Sequence, residues 1–395
     1  MSDFDIVVIG GSVEDLAAAR TARASGAKVA IVAPGAIGAE ELQSGRIPIG
    51  ALIKAACVFN QCRESMEFGI RSDNVRVTWS ALKLRIADVQ DDIRAMWREQ
   101  LKEQGIEHLK GTARFEDAHT IVIESKTGEK TVTASKFIQA TGDVPEQPQI
   151  DGLTEIGSLT VAQLFALPEM PRSLTILGSS AVAVELAFAL ARLGCKVTVL
   201  SGDAALLPGE DHEISAFAEK LLQQEGVVLH TGANIQSATV EGEKKQITFE
   251  ANGELQHAES RHILALASPP QTTREQLESR IVLTQPGIAA FGLSEARARE
   301  KWNDVQVFQQ RFSQLERCIV EGETRGFIKL VTGDKGRILG AHIAGQNAGE
   351  LLMPFLVAMQ SENRSFQMVS QIALPSTLSE AVQGVLAEYA LANSG

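Results

Sequence analysis

Two short stretches have the residue types and spacing of an anion cradle. The first is IGGSVEDLAAAR, residues 9–20. Gly10 and Gly11 follow an apolar run and lead into a helical pattern. Backbone N–H groups and a positive helix end at such a place can hold a pyrophosphate. A dinucleotide loop would read G-x-G-x-x-G, and the three frame positions here are Gly10, Ser12 and Asp15. Ser12 and Asp15 fit S-x-x-D, close to a capping box. Glu14 and Asp15 put carboxylates at the positive helix end, where they stabilise the helix and repel a phosphate. The stretch therefore reads as a helix start whose anion site is filled by its own side chains. The second stretch is GSSAVAVE, residues 178–185. Gly178, Ser179, Ser180 and Ala183 are small, and a serine N–H or hydroxyl can donate to phosphate. No acid is expected to crowd this turn, because Glu185 lies further into the helix. It reads either as a nucleotide turn or as a tight strand–helix turn kept for packing.

A third pattern is C-x-x-x-x-C, at Cys57 and Cys62. Paired thiols at that spacing would suit disulfide chemistry. The stretch is helical in pattern, however, and a five-residue offset in a helix rises about 7.5 Å and turns about 140°. That exceeds the reach of an unstrained disulfide, so both read as ordinary helix cysteines. Cys195 and Cys318 have no evident partner, and no metal-ligand set is assigned.

The elements that place these residues come in two units with one plan. Residues 5–9 (DIVVI) form a strand apolar throughout, 13–25 a helix ending at Gly26, and 28–32 (KVAIV) a second strand, which is a βαβ pattern. SLTILGSS, AVAVELAFALARLG and CKVTVL repeat it from Ser173. Helices are expected from 50 to about 66, over 91–104 and over 212–225, and short alternating strands over 106–140. The last third changes character: GFIKLVTGDKGRILGAHIAG reads as a hairpin, followed by amphipathic helices.

The chain has 395 residues, enough for two or three domains, and a net charge of -12. An acidic surface disfavours nucleic acid and anionic membrane as partners. No apolar run is long enough to span a bilayer. Four cysteines do not make a disulfide framework in a chain of this size, and a cytoplasmic setting is expected.

The stretches SLTILGSSAVAVELAFALARLGCKVTVL, LLPGEDHEISAFAEKLLQQEGV, FIQATGDVPEQP, RGFIKLVTGDKGRILGAHIAGQNAGELL and PSTLSEAVQ resemble the flavin-dependent pyridine nucleotide–disulfide oxidoreductases, in their mercuric reductase and dihydrolipoamide dehydrogenase branch. The resemblance runs over nearly the whole chain in family order. It implies an α/β fold of two Rossmann-like three-layer domains and a C-terminal α+β dimerisation domain. The domains are expected at 1–150 (FAD-type, shortened), 151–270 (NAD(P)-type), a linker at 271–280, and 281–395 (dimerisation). It further implies a homodimer, a hydride path from NAD(P)H through FAD to a redox disulfide, and FAD-type contacts at Gly10, Gly11, Thr141 and Gly142. Gly178, Ser179, Ser180, Ala183 and Glu185 fall at the NAD(P) positions, Glu185 where the family places a glutamate near the nicotinamide.

Several positions depart from the family pattern. Ala33 stands where an acid should bind the ribose. Glu41 and Arg46, expected to form an ion pair, stand where the two redox cysteines should be, followed by Pro48, Ile49 and Gly50. Pro375 takes the place of the acid–base histidine, and Glu380 remains without it. The Gly-Asp segment that makes the second FAD contact is missing between HILALA and the last third. No catalytic residue is assigned. FAD is implied by the resemblance and opposed by these residues, whereas NAD(P)H remains a candidate for the second turn. The sequence thus points to a catalytically inactive homologue with a structural or regulatory role, with or without a protein partner. An NAD(P)H-binding sensor or a thiol-independent FAD/NAD(P)H oxidoreductase is the alternative.

Overall fold

The computed structural model describes residues 2–139, 148–266, 279–333, 337–360 and 376–392. The chain divides into two compact units. The first comprises Met1–Ala55, Arg76–Val144 and Val161–Glu169, and the second Ala56–Val75, Pro145–Thr160 and Met170–Gly395.

In the first unit the apolar run near the N-terminus forms β1 (Phe4–Ile9), the helix α1 spans Val13–Ala24, and β2 spans Val29–Ala33. β1 pairs in parallel with β2, Val7 opposite Ala30. The short helix α2 (Ala39–Gln43) precedes α3 (Arg46–Glu64), whose residues from Ala56 onward belong to the second unit, and α4 (Trp79–Glu103). α3 begins four residues before the expected start at 50. The helix expected over 91–104 begins at Trp79, because Trp79, Leu82 and Ile86 carry the same buried stripe as Trp97 and Leu101. β3 (Glu107–Lys110), β4 (Thr112–Asp117), β5 (Thr120–Ser125) and β6 (Gly128–Gln139) complete a six-stranded sheet in the order β3-β2-β1-β6-β5-β4. β6 pairs in parallel with β1 and antiparallel with β5. One face buries Val8, Ile31 and Ala33 against Leu16, Ala19, Trp97 and Leu101 of the helices. The other buries Val7, Ala30 and Val32 with Ile121, Ile123 and Val132 of the meander. The alternation of these strand residues between two covered faces explains the continuous apolar runs.

The second unit repeats this plan. After two short helices, α5 (Leu153–Ile156) and α6 (Val161–Ala166, which belongs to the first unit), come β7 (Ser173–Leu177), α7 (Ala181–Arg192), β8 (Lys196–Leu200), α8 (His212–Gln224) and β9 (Val228–His230). The meander β10 (Asn234–Glu241), β11 (Lys244–Ala251) and β12 (Glu254–Ser260) follows, then β13 (His262–Ala265). The parallel sheet runs β13-β7-β8-β9. Leu177, Leu200 and Ile263 pack on Ala238, Ile247 and Phe249 of the meander.

The last part of this unit is an antiparallel sheet. Its strands are β14 (Arg280–Val282), β15 (Gly287–Gly292), β16 (Gln306–Arg311), β17 (Phe327–Gly333) and β18 (Arg337–Gly345), in the order β14-β15-β18-β17-β16. The helices α9 (Glu295–Lys301) and α10 (Glu316–Val320) are short. The longer α11 (Ala348–Gln360) and α12 (Glu380–Ala392) pack Leu352, Phe355, Val382 and Val385 with Phe312, Ile328 and Leu330. Most of the expected linker at 271–280 lies outside the described residues, and Arg280 already belongs to β14.

Candidate functional site

The two strand–helix turns share one backbone. Gly10 has φ +146° and Gly178 φ +133°, a region that an L side chain rarely enters. The Gly10 N–H donates to Val32 O at 3.0 Å, and the Gly178 N–H to Leu200 O at 2.9 Å. Next in each turn, Gly11 O accepts from Gly38 N at 2.5 Å and Ser179 O from Leu207 N at 2.8 Å. The caps are Ser12 (φ −74°, ψ 172°) and Ser180 (φ −67°, ψ 169°). The hydroxyls of Ser12 and Ser180 each accept from the N–H three residues on, at 3.1 Å and 3.5 Å. The expected small-residue turns are therefore both formed.

They differ at that third residue. In the first turn it is Asp15, 2% exposed. Its Oδ2 accepts from the Ser12 N–H and the Ser12 hydroxyl, both at 2.9 Å, which completes the capping box. A Cβ added to Gly10 would lie 2.1 Å from Asp15 Oδ2, so the carboxylate sits in the concavity that the glycine leaves. Asp15 Oδ1 is buried without a hydrogen-bond partner. In the second turn the residue is Ala183, fully buried, and its methyl carries no charge. A Cβ added to Gly178 would meet only Leu266, at 3.4 Å.

An acid does stand beside the second turn, contrary to the expectation from sequence. It comes from beyond β8: Asp203 Oδ2 accepts from the Ser179 hydroxyl and, at 3.3 Å, from the Ser201 hydroxyl. Counting to the strand end finds Ser201 and misses Asp203, because a bend after the strand carries the carboxylate back. Ser201 holds the Asp203 N–H at 3.0 Å and fixes that bend. The end of β2 holds Ala33, buried and without an acceptor side chain. Glu185 is 4% exposed, and its Oε1 accepts from the Leu283 N–H at 2.7 Å. Thr141, Gly142 and Pro375 lie outside the described residues.

The expected ion pair of Glu41 and Arg46 is replaced by a helix cap. Glu41 Oε2 accepts from the backbone N–H of Arg46 at 2.7 Å, and among the described residues the two side chains form no ion pair. The N-terminal N–H groups of a helix lack intrahelical partners, so a carboxylate two to five residues upstream finds one there. Glu380, the first residue of α12, instead reaches back and accepts from the Ser376 N–H ahead of the helix at 2.7 Å.

All four cysteines are free. Cys57 and Cys62 lie within α3, as the spacing predicts. Burial pushes the Cys195 thiol up to about 12. Burial, with Glu321 and Glu323 nearby, pushes Cys318 up to about 11. Neither is a thiolate near neutral pH, and the thiolate is the reactive form. Among the described residues no group of acids, histidines and cysteines could hold a metal ion, and no helix is long and apolar enough to cross a membrane.

Away from the turns, Lys329 is buried and meets Asp211 at 2.8 Å and Glu213 and Glu295 at 2.9 Å. Burial lowers its affinity for the proton, but the three carboxylates outweigh this and hold it well above the usual lysine range. Burial also raises Asp211, and the Lys329 ammonium and the Glu295 N–H outweigh it, leaving the carboxyl below its ordinary range.

The sequence model of the pyridine nucleotide-disulphide oxidoreductases matches residues 4–265, and that of their dimerisation domain matches residues 279–385. The chain belongs to the pyridine nucleotide-disulphide oxidoreductase family. Similar members of this family include the mercuric reductase of Staphylococcus aureus, 26% identical over an alignment covering 91% of this chain and 77% of that one. The dihydrolipoyl dehydrogenase of Geobacillus stearothermophilus is also 26% identical, covering 95% and 94%. These alignments run over 430 and 443 positions, more than the 395 residues of the chain, so both relatives carry segments that it lacks. In fold, this family member is similar to the Cu(II) complex of the HOCl-induced flavoprotein disulfide reductase RclA from Escherichia coli. The TM-score is 0.79 at 19% identity, covering 98% of this chain and 100% of that one.

Proposed function

We propose that this chain is a family member that performs no dithiol–disulfide exchange and serves a structural or regulatory role as a homodimer. The observation that carries the reading is the buried Asp15 carboxylate over Gly10. FAD, which the family implies, does not fit that turn: its pyrophosphate would meet a fixed negative charge in the concavity where the backbone should approach it. Glu41 as a helix cap, Ala33 at the strand end and the buried, protonated Cys195 and Cys318 support the same reading. The free thiols accord with a reducing, cytoplasmic setting. The dimerisation-domain match and the exposed Met353 and Val357, one turn apart on α11, support the homodimer. The test is the visible absorption of the purified protein, before and after incubation with excess FAD and removal of the unbound part. Absence of flavin bands is expected, and a stoichiometric flavin band overturns the reading.

A second reading, a nicotinamide-dinucleotide sensor or thiol-independent reductase, is favoured by the uncharged Ala183 and by the position of Asp203. In this reading the Gly178, Ser179 and Ser180 backbone holds the phosphates and Asp203 accepts from a ribose hydroxyl. The nicotinamide supplies hydride chemistry when bound. An acid at that place disfavours a 2′-phosphate. Fluorescence titration is expected to show tighter binding of NADH than of NADPH. No saturable binding of NADH, or tighter binding of NADPH, rejects it.

A further inference from the structure

We propose that the cavity between α4 and the edge strand β3 binds a small anion carrying an apolar group. Two periodicities build it. Arg94, Trp97, Arg98, Leu101 and Lys102 recur at helical spacing on one face of α4, and Ile106, His108 and Lys110 alternate along the edge. The cavity measures about 350 Å³, within the range of small-molecule sites. No residue of either strand–helix turn lines it.

Its chemistry has two parts. Ile37, Trp97, Leu101 and Ile106 are buried and make an apolar floor. Around them stand Arg94, Arg98, Lys102, His108 and Lys110, with no acid in the lining. This is a local reversal in a chain of net charge -12. Arg94 and Lys102 also meet Asp91 and Glu99 on the exposed side of the helix. Arg98 and Lys110 have no ion-pair partner among the described residues.

His108 supplies an independent sign of a missing partner. Its Nε2 is buried with no hydrogen bond, and a buried polar atom left so costs about 1–3 kcal/mol. Burial and the neighbouring Lys110 ammonium lower the pKa of this ring, against a hydrogen bond to the Ala33 carbonyl. A ligand that lays its apolar part on Trp97 and presents its anionic head to Arg98 and Lys110 matches the floor and the cations, and its negative charge favours the protonated His108 ring, in which Nε2–H is a donor. The head is a phosphate or a carboxylate, and the body is an aromatic ring or a short aliphatic group.

The experiment is calorimetric titration of the full chain with phenyl phosphate, benzoate, inorganic phosphate and benzyl alcohol. Phenyl phosphate or benzoate is expected to bind at one site, at least about tenfold more tightly than inorganic phosphate or benzyl alcohol. The better of the two identifies the head. Arg98→Glu with Lys110→Glu is expected to weaken that binding at least about tenfold, whereas Arg261→Glu, an exposed charge change in the second unit, leaves it unchanged. Equal binding by the double variant, or inorganic phosphate binding as tightly as either ring compound, overturns the proposal. Hydrogen exchange on the wild-type chain covers the case of a double variant that fails to fold. Protection by the tighter ligand is expected within residues 94–110, and its absence there overturns the proposal as well.

Discussion

The first and second strand–helix turns are a comparison the molecule makes with itself. Glycine conformation, serine cap and backbone hydrogen bonds agree between them, and the residue three places after the cap differs: Asp15 in one, Ala183 in the other. A cradle of backbone N–H groups is thus not by itself a phosphate site. What the first turn of the helix places inside it decides whether an outside anion can enter. The same local chemistry recurs at α3, where Glu41 supplies the carboxylate. A helix start that is not occupied by a ligand is completed from within, because its N–H groups need acceptors in either case.

The most severe way to break the comparison is to move the charge. Ala183→Asp places in the second turn the group that closes the first. NADH affinity, followed by fluorescence, is expected to fall at least about 100-fold, or about 2.7 kcal/mol. Unchanged affinity in a folded variant breaks the comparison. A second test uses the glycines. Gly10→Ala must force a methyl against Asp15 at a positive φ, and is expected to cost roughly 2–4 kcal/mol in urea unfolding. Gly178→Ala meets the same backbone strain but only a distant neighbour, and is expected to cost roughly 1–3 kcal/mol. Equal costs would show that the Asp15 carboxylate yields freely.

Asp15→Ala removes the capping box while leaving the Ser12 hydroxyl as cap. A loss of about 0.5–2 kcal/mol is expected, offset in part because Asp15 Oδ1 is buried without a partner. A gain in stability would mean that desolvating this carboxylate outweighs its hydrogen bonds. The smallest effect is in pH dependence. Burial keeps the His342 ring in the second unit, and the His108 ring in the first, below the usual histidine range. Unfolding releases each ring to a pKa of about 6.5, so the unfolded chain binds more protons below that pH and stability falls as pH falls. His342 is fully buried and His108 partly exposed. His342→Gln is therefore expected to flatten the loss of stability between about pH 6.5 and 5 more than His108→Gln. The reverse order would place the stronger burial in the first unit.

Much of this was legible in the residues. The strand–turn–helix units follow from apolar runs bounded by glycine, and Ser12 with Asp15 announces its own cap at a separation of three. Local spacing was enough because the partners are neighbours in sequence. Asp203 was not legible in that way. It lies 24 residues from Ser179, and its approach depends on the bend that Ser201 fixes after β8. Glu185 was placed on the correct helix, but its partner is the Leu283 N–H, 98 residues away. The Glu41–Arg46 contact was read as charge with charge, and is carboxylate with backbone. The start of α4 was a simpler miss, since Trp79, Leu82 and Ile86 already continue the stripe. The cavity beside α4 needed two elements to be set side by side, which neither periodicity states alone.

The bond from Glu185 to the Leu283 N–H has a mechanical consequence. It fastens α7, which carries the second turn, to the chain just after β14. Asp211 makes a second fastening, capping α8 while meeting Lys329 of β17 and the N–H of Glu295. The parallel sheet and the antiparallel sheet are thus held as one cooperative body, and calorimetry of the second unit should record a single melting transition shared by both sheets.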